Sequence, residues 1–491
     1  MRYLFLVFAL IALPAHAQTI SGLSYAVTDT TIVGTWTTSP ASNSNITCGA
    51  KNGIDNGVAA NSTSNQAIVT GLSPSTLYSC TVTSGSTTSS PQNVTTSAAA
   101  VRTPITSLNV GPPTTTTVHG DTIYNFVSSD NSTYNTMDDG YGWTTPNAGA
   151  NMQIDKLTNE STFQGSTVNL LTAYGGFATS NGTDGPSGSA QTNKLSGIFG
   201  FSGDLFLFAG RGEYCGTGHV NQNAWYGNIM LSQNHGTTWN SWQAPATFSA
   251  SGIPPSPLGS YQMPVSTWGW IEPVRYAVDD GTMGYLTAGN QIDGANGFVY
   301  ITTTDGWWNN GSNLYLMRIP RIQMLAQNGS AIQVWVGPSS PTPAQFVNDS
   351  NWSSSAASPT AIYSAPGQVS SQDLIFIPAM NYYLLLEWYQ PAPSCTVTND
   401  SVWVISAGPT PAGPWTQIKT QTNNPSGYYN PVVMHRTAAT NTSLHNVALT
   451  IVYGGDYNNQ SVYYYPAYSQ MTLNPTAQLS NVTLSNGASI Q

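Results

Sequence analysis

Two aspartates, Asp121 and Asp139, stand at the ends of a segment that is typical of a β-hairpin. Thr122–Ser128 is apolar and β-branched, Asp130–Ser132 has turn chemistry, and Thr133–Met137 is the return strand. In an antiparallel pair centred on residue 130, the two aspartates lie directly opposite each other, with Cβ atoms about 4.5–5.5 Å apart. Opposed like charges destabilise a hairpin with only a structural role, whereas glycoside hydrolysis requires two carboxyl groups. The spacing predicts a catalytic acid with a base or nucleophile; turn capping in an inactive protein is the alternative.

Two glutamates are candidates for a third carboxylate. Glu213 lies in the segment GRGEYCG, and Glu272 lies in WGWIEPVR. Either side chain would tune or protonate the aspartate pair if it reached the same pocket. Glu272 is also close in sequence to Arg275, so a salt bridge is its structural alternative. Glu387, in LLLEWY, is expected to be buried and paired rather than catalytic.

A metal site is another use for carboxylates in this region. Asp130 and Asp138, together with Asp139, form an oxygen-rich cluster of the kind that suits Ca²⁺. Their spacing matches no EF-hand loop, and the histidines show no spacing typical of zinc ligands. We therefore expect no metal and no other cofactor, with Ca²⁺ at Asp130 and Asp138 as the alternative.

Aromatic residues are abundant, with 14 Trp and 26 Tyr among 491 residues. Trp268, Trp270 and Glu272 alternate, so in a strand they share one face and would line a sugar subsite. A place in the core is the alternative for each ring. The predicted substrate-binding residues are Trp143, Trp268, Trp270, Trp307 and Tyr429.

The composition favours a neutral ligand. Lys and Arg number 11 against 21 Asp and Glu, the formal net charge is −10, and only 7% of residues are charged. Such a chain gains nothing from a polyanion, so nucleic acid and acidic lipid surfaces are not expected partners. A neutral polar surface with aromatic side chains suits a hydroxyl-rich partner such as a polysaccharide.

The N-terminus has the pattern of a signal peptide. A basic start, the apolar run Tyr3–Leu13 and a small-residue cleavage site predict removal of residues 1–17. The run is too short to span a membrane. We expect a secreted monomer, extracellular or periplasmic, without membrane insertion, and cysteines in such a protein indicate disulfides. The expected pairs are Cys48–Cys80 and, as a further candidate, Cys215–Cys395.

Residues 18–98 consist of short strands at regular spacing, with no helical periodicity. Leu72–Tyr78 has the pattern Leu-x-Pro-x-Thr-x-Tyr and resembles the tyrosine corner of fibronectin type III domains. This predicts a fibronectin type III-like β-sandwich, serving as a passive spacer or an accessory carbohydrate-binding module. The Ser- and Thr-rich stretch that follows is expected to be a linker, residues 99–104.

Residues 105–480 have almost no helical signal apart from one turn within Arg318–Gln327. Ser232–Trp239 resembles the Asp-box of sialidase-type propellers, a turn between outer strands, with Asn234 in place of Asp. Five recurring core strands predict a five-bladed β-propeller of four-stranded blades with long loops; a β-sandwich is the alternative. These strands are Gly120–Phe126, Gly203–Gly210, Gly281–Gly289, Asn381–Tyr389 and Asn446–Gly455.

Four further segments carry a family resemblance: Gly120–Trp143, Thr303–Pro320, Gly408–Thr416 and Tyr428–Pro431. Together they resemble a family of secreted five-bladed propellers, formerly a domain of unknown function, that includes endo-D-arabinofuranosidases. The resemblance implies that Asp121 and Asp139 are the essential pair. In the related arabinanase-like propellers three carboxylates come from different blades; on that pattern Asp121 is the base and Glu213 or Glu272 the acid.

The sequence thus predicts an all-β protein, an N-terminal fibronectin type III-like β-sandwich followed by a five-bladed β-propeller. We expect a secreted glycoside hydrolase that cleaves a neutral polysaccharide, with arabinofuranose-containing polymers as one class. The alternatives are a non-catalytic carbohydrate-binding propeller and a cell-surface scaffold protein.

Overall fold

The computed structural model consists almost entirely of β-strands, as predicted. Asp130, Trp268, Trp307, Cys395 and the expected signal peptide lie outside the residues that the structure describes. The described residues are 18–27, 32–42, 44–49, 51–52, 54–55, 62–69, 72–98, 102–128, 132–144, 149–171, 191–201, 204–215, 220–241, 270–275, 298–305, 310–346, 348–355, 358–377, 379–391, 400–424, 426–434, 447–455 and 464–475.

The N-terminal part forms two antiparallel sheets around one small core, which includes Trp36. Its strands are β1 (Thr19–Val27), β2 (Ile32–Ser42), β3 (Ser44–Cys48), β4 (Lys51–Asn52), β5 (Ile54–Asp55), β6 (Ser62–Val69), β7 (Leu77–Ser84), β8 (Thr87–Thr88) and β9 (Gln92–Thr95). Cys48 and Cys80 pair across β3 and β7 and form the predicted disulfide. The Tyr78 hydroxyl accepts a hydrogen bond from the Ser73 amide at 2.8 Å, which fixes the corner before β7.

Five further antiparallel sheets follow in the described residues. Sheet 1 is β12–β15, sheet 2 is β16–β19, sheet 3 is β20–β25, sheet 4 is β26–β29, and sheet 5 combines β10 and β11 with β30–β32. The strands are β10 (Ile105–Val110), β11 (Thr114–Thr115), β12 (His119–Val127), β13 (Thr133–Gly142), β14 (Ala150–Asn159), β15 (Gln164–Leu170), β16 (Gln191–Phe201), β17 (Asp204–Cys215), β18 (Val220–Ser232), β19 (Asn240–Ser241), β20 (Ile271–Pro273), β21 (Phe298–Thr304), β22 (Gly311–Pro320), β23 (Gln333–Trp335), β24 (Trp352–Ser353), β25 (Tyr363–Val369), β26 (Asp373–Ile377), β27 (Tyr382–Tyr389), β28 (Ser401–Gly408), β29 (Thr416–Asn423), β30 (Val432–Val433), β31 (Val447–Tyr453) and β32 (Ala467–Pro475).

The sheets contact one another in a closed ring. β12 packs against β16, β16 against β20, β26 against β30, and β31 against β12. A parallel bridge between Arg275 and Ile375 connects the end of β20 with β26. β12 and β26 are buried almost throughout, whereas the last strands β15 and β29 are largely exposed or half-exposed. The contacts between neighbouring sheets therefore include β12, β16, β20, β26 and β30, and in sheet 5 the strand β10 pairs with the C-terminal β32.

Arg275 connects four of the five sheets at the centre. It is 1% exposed, and its Nε donates to Asp373 Oδ1 of sheet 4 at 2.9 Å. Its Nη1 donates to the carbonyl and Oδ1 of Asn125 in sheet 1, both at 3.0 Å, and its Nη2 donates to the Val433 carbonyl of sheet 5 at 2.8 Å. The salt bridge considered between Arg275 and Glu272 is not formed, because Asp373 is the partner of this guanidinium.

The predicted core strands, helical turn and Asp-box-like turn can be compared with the structure. Four of the five expected core strands lie in β12, β17, β27 and β31, and residues 281–289 lie outside the described ranges. The predicted helical turn is α1 (Arg321–Leu325), and a second short helix is α2 (Pro343–Phe346). Between β18 and β19, Asn234 Oδ1 accepts from the Thr238 amide at 2.9 Å, as an Asp-box turn requires. In the described part of the chain, no helix has the length and apolar character needed to cross a membrane.

Candidate active site

The β12–β13 hairpin follows the predicted register only near its tip. From Val127↔Thr133 to Tyr124↔Thr136 the pairing is centred on residue 130, but Asp121 then lies opposite Asp138. The predicted opposition of Asp121 and Asp139 is therefore wrong. The reason is an irregular backbone, since Thr122 and Asp139 have φ values of +46° and +48°. A side-chain-bearing residue in this region costs about 1–3 kcal/mol, and such strain is concentrated at functional sites.

The Asp139 carboxylate forms an ion pair with Lys194. Lys194 belongs to β16, the first strand of sheet 2, and its Nζ contacts Asp139 Oδ1. The two side chains are 5% and 11% exposed. A buried ammonium and a buried carboxylate stabilise each other's charged forms, because each would otherwise lose its hydration without compensation. This pair therefore places a carboxylate, balanced by an ammonium, at the end of the hairpin.

The Asp121 carboxyl lies beside this ion pair in a different environment. Asp121 is 6% exposed, and its Oδ2 accepts a hydrogen bond from the Tyr429 hydroxyl at 2.6 Å. Thr122 Oγ1 donates to Oδ1 at 3.3 Å. Burial, reinforced by the negative charge of Asp139, raises the pKa of Asp121 to about 7, against the opposing effects of Lys194 and the two hydrogen bonds. Two neighbouring carboxyl groups are thus placed in opposite electrostatic surroundings.

Asp138 is a third carboxyl in the hairpin, but it points into the protein. It is fully buried, and its Oδ1 accepts a hydrogen bond from the Leu195 amide of β16 at 2.9 Å. Burial raises the pKa of Asp138 well above its ordinary value, although the Lys194 ammonium opposes the shift. The Asp138 side chain therefore connects sheets 1 and 2. In the described ranges, no group of three or more His, Cys, Asp or Glu is arranged to hold a metal ion.

Glu272 occupies a separate buried network. Its carboxylate accepts hydrogen bonds from the Tyr124 hydroxyl at 2.6 Å, the Trp270 indole at 2.9 Å and the Gln372 amide at 2.9 Å. Burial raises the pKa of Glu272 well above its ordinary value, and the nearby Glu387 contributes in the same direction. With 2% exposure, Glu272 joins sheets 3, 1 and 4. The structure therefore does not bring it to the Asp121–Asp139 pair.

The remaining predicted residues are distributed between the core and the undescribed segments. Trp270 is 1% exposed, and its indole N–H donates a hydrogen bond to Glu272, so its ring is not available to a ligand. Trp143 is half-buried and packs against Phe163, with ring centroids 5.7 Å apart. Tyr429 is fully buried and acts on Asp121. The backbone of Glu213 pairs with Asn223 in sheet 2.

Two features of the site are absent from the predicted set. Lys194 is one of only 11 Lys and Arg residues and lies in a β-strand that has no other charged residue, a signal that would have marked it. The second feature is a group of half-exposed rings around His119. We call this group the aromatic rim; its members are His119, Tyr141, Tyr464 and Tyr465.

No family model and no curated protein matches the sequence. Among solved structures, one similar chain is a putative hydrolase from Bacteroides ovatus, with 12% identity over 72% of this chain and 85% of that chain and a TM-score of 0.41. An α-L-arabinofuranosidase from Fusarium graminearum shares 9% identity over 75% of this chain and 98% of its own, with a TM-score of 0.32. A family 117 glycoside hydrolase from Zobellia galactanivorans shares 8% identity over 75% and 91%, with a TM-score of 0.34. Any function inferred for this chain must therefore be argued from its own side chains.

Proposed function

We propose that this protein is a glycoside hydrolase in which Asp121 and Asp139 cleave a neutral polysaccharide. The observation that supports it is the contrast between the two neighbouring carboxyl groups. Asp139 is ion-paired with Lys194, while burial and the charge of Asp139 raise the pKa of Asp121 to about 7. Glycoside hydrolysis uses one protonated and one ionised carboxyl group, and such a division is produced by different environments.

In the proposed reaction Asp121 is the acid. It protonates the glycosidic oxygen as the bond to the anomeric carbon breaks, and the Asp139 carboxylate activates water or attacks that carbon. A pKa near the working pH suits this proton transfer. The Asp121 anion that results is stabilised by the Tyr429 hydroxyl, Thr122 and the Lys194 ammonium. This assignment reverses the role that the arabinanase-like pattern gives to Asp121.

Lys194 supplies the positive charge beside the carboxyl groups, so the proposed chemistry needs no metal ion or other cofactor. Asp138, part of the alternative Ca²⁺ site, already accepts a hydrogen bond from the protein. Protonation of Asp121 and the pairing of Asp139 with Lys194 both lower the net charge of the site. A neutral sugar polymer fits such a site better than an anionic one.

We extend the proposal to the architecture of the chain. A five-bladed propeller over residues 105–480 is supported by five sheets that contact one another in a ring and by sheet 5, which combines the N-terminal strand β10 of this region with its C-terminal strand β32. A fibronectin type III-like module over residues 18–98 is supported by the Tyr78 corner. We also propose secretion as a monomer after removal of residues 1–17; the Cys48–Cys80 disulfide supports the secretion, because it indicates an oxidising compartment.

The test is digestion of linear D-arabinan, linear L-arabinan and linear galactan, with release of reducing ends as the measurement. Asp121→Asn and Asp139→Asn are each expected to reduce the rate by about 10²–10⁴-fold. Asp138→Asn is the matched control, because burial raises the pKa of this carboxyl well above its ordinary value and the amide oxygen can keep the Leu195 hydrogen bond. Full activity in both test variants would refute the assignment. Binding without release of reducing ends would favour a non-catalytic carbohydrate-binding protein.

A further inference from the structure

The aromatic rim is a preorganised set of rings at one end of β12 and β13. His119 stacks on Tyr141 with centroids 4.2 Å apart and an interplanar angle of 13°. It also stacks on Tyr464 at 5.6 Å and meets Tyr465 edge-on at 5.2 Å. The Tyr141 and Tyr465 hydroxyls lie 3.4 Å apart within hydrogen-bond reach. Each ring therefore restricts the orientation of the next, which lowers the entropy cost of binding a ligand.

The rim adjoins the carboxyl pair on both strands of the hairpin. His119 precedes Asp121 by two residues, and Tyr141 follows Asp139 by two residues. The charge of Asp139 acts on His119, which places the imidazole near that carboxylate. Sheet 5 adds the other rings, since the Gly120 amide donates to the Tyr464 carbonyl at 2.7 Å. The rim is thus held by sheets 1 and 5 beside the two aspartates.

The chemistry of the rim selects a neutral, hydroxyl-bearing ligand. All four side chains are half-exposed, in contrast to the buried Trp270 and Tyr429. Burial lowers the pKa of His119, although Asp139 opposes this shift. The hydrogen bond with Tyr465, together with burial, raises the pKa of Tyr141 to about 12. At neutral pH these two groups are uncharged and offer apolar faces with polar edges.

We propose that the aromatic rim is the binding subsite for a neutral sugar unit next to the bond that is cut. The proposal rests on the proposed function and deepens it, because it names the side chains that hold the substrate. The apolar C–H face of a sugar ring packs on the exposed aromatic faces, and its hydroxyls bond to the tyrosine hydroxyls. The four residues of this subsite lie outside the predicted set, and the predicted platforms Trp268 and Trp307 lie outside the described residues.

The test uses the full chain with Asp121→Asn, which blocks hydrolysis and preserves an acceptor for Tyr429. Binding of linear D-arabinan and linear L-arabinan oligosaccharides is measured by titration calorimetry. Adding Tyr141→Ala or Tyr465→Ala is expected to raise the Kd about tenfold, whereas the corresponding Phe variants, which keep the ring and lose only the hydroxyl, should raise it by a smaller factor. Tyr315→Ala, a half-exposed tyrosine on sheet 3, is the matched control and should not change the Kd. Thermal unfolding of each variant shows that it is folded.

The outcomes separate this proposal from the proposed function. Rim-dependent binding together with hydrolysis by the unmodified protein supports both. Rim-dependent binding without hydrolysis supports the subsite and overturns the hydrolase. Hydrolysis with kcat/KM unchanged in Tyr141→Ala and Tyr465→Ala overturns the subsite and leaves the hydrolase intact. Failure to bind either oligosaccharide overturns the subsite as stated.

Discussion

Replacement of Tyr429 by Phe removes one hydrogen bond from Asp121 while keeping the ring. The Tyr429 ring is fully buried and packs on Trp388, with centroids 5.4 Å apart, so Phe fits the same space. A hydrogen bond to a charged group contributes about 1.5–3 kcal/mol, and about 1.4 kcal/mol corresponds to one pKa unit. Because this bond favours the ionised form, its loss should raise the pKa of Asp121 from about 7 to about 8–9.

The assay is the dependence of kcat on pH for a polymer that the unmodified protein cleaves. An acid must be protonated, so kcat falls as pH rises through its pKa, and Tyr429→Phe should move this fall to higher pH. Movement of the low-pH limb instead would make Asp121 the base and contradict the assigned roles. If a folded Tyr429→Phe variant had the same pH dependence of kcat as the unmodified protein, the coupling of Tyr429 to catalysis would be refuted. Tyr428→Phe, at the neighbouring position, is the control.

Three further predictions concern stability. Lys194→Met should lower the free energy of unfolding by about 3–5 kcal/mol and abolish hydrolysis, and adding Asp139→Asn should restore stability in urea titrations but not activity. Burial raises the pKa of Asp155 to about 8, so the folded protein binds this proton more tightly than the unfolded chain and loses stability between about pH 4 and pH 8. Asp155→Asn should therefore raise the melting temperature at pH 8 and leave it unchanged at pH 4. Joint replacement of Cys48 and Cys80 by Ala should cost about 4 kcal/mol, confined in calorimetry to the N-terminal sheets, with hydrolysis retained.

The strands were predictable because their signals are local. Aromatic and β-branched runs correspond to β12, β27 and β31, and the turn chemistry around residue 130 set the register at the hairpin tip. The register change farther along depends on left-handed backbone at Thr122 and Asp139. Thr disfavours that conformation and Asp adopts it more often than most residues, but neither residue type specifies it without packing from other sheets.

The carboxyl groups of the candidate site could be picked out from the sequence, but their partners could not. A pair of aspartates 18 positions apart is visible in the sequence, whereas Lys194 reaches Asp139 only after sheets 1 and 2 pack together. Periodicity placed Trp270 and Glu272 on one face, and they do contact each other. The periodicity could not show that this face is buried. Burial depends on the chain at the start of sheet 4, which supplies the Gln372 backbone amide.

The central claim is that a glycosidic bond is hydrolysed by Asp121 and Asp139. The most direct measurement is mass spectrometry of the oligosaccharides released from linear D-arabinan, linear L-arabinan and linear galactan in ¹⁸O-labelled water, sampled within minutes. Hydrolysis places one ¹⁸O at each new reducing end, and we predict this label in the products of the unmodified protein and of Asp138→Asn. Asp121→Asn and Asp139→Asn should yield almost none. Equal labelled product from these two variants, or no product from the unmodified protein, would contradict the claim.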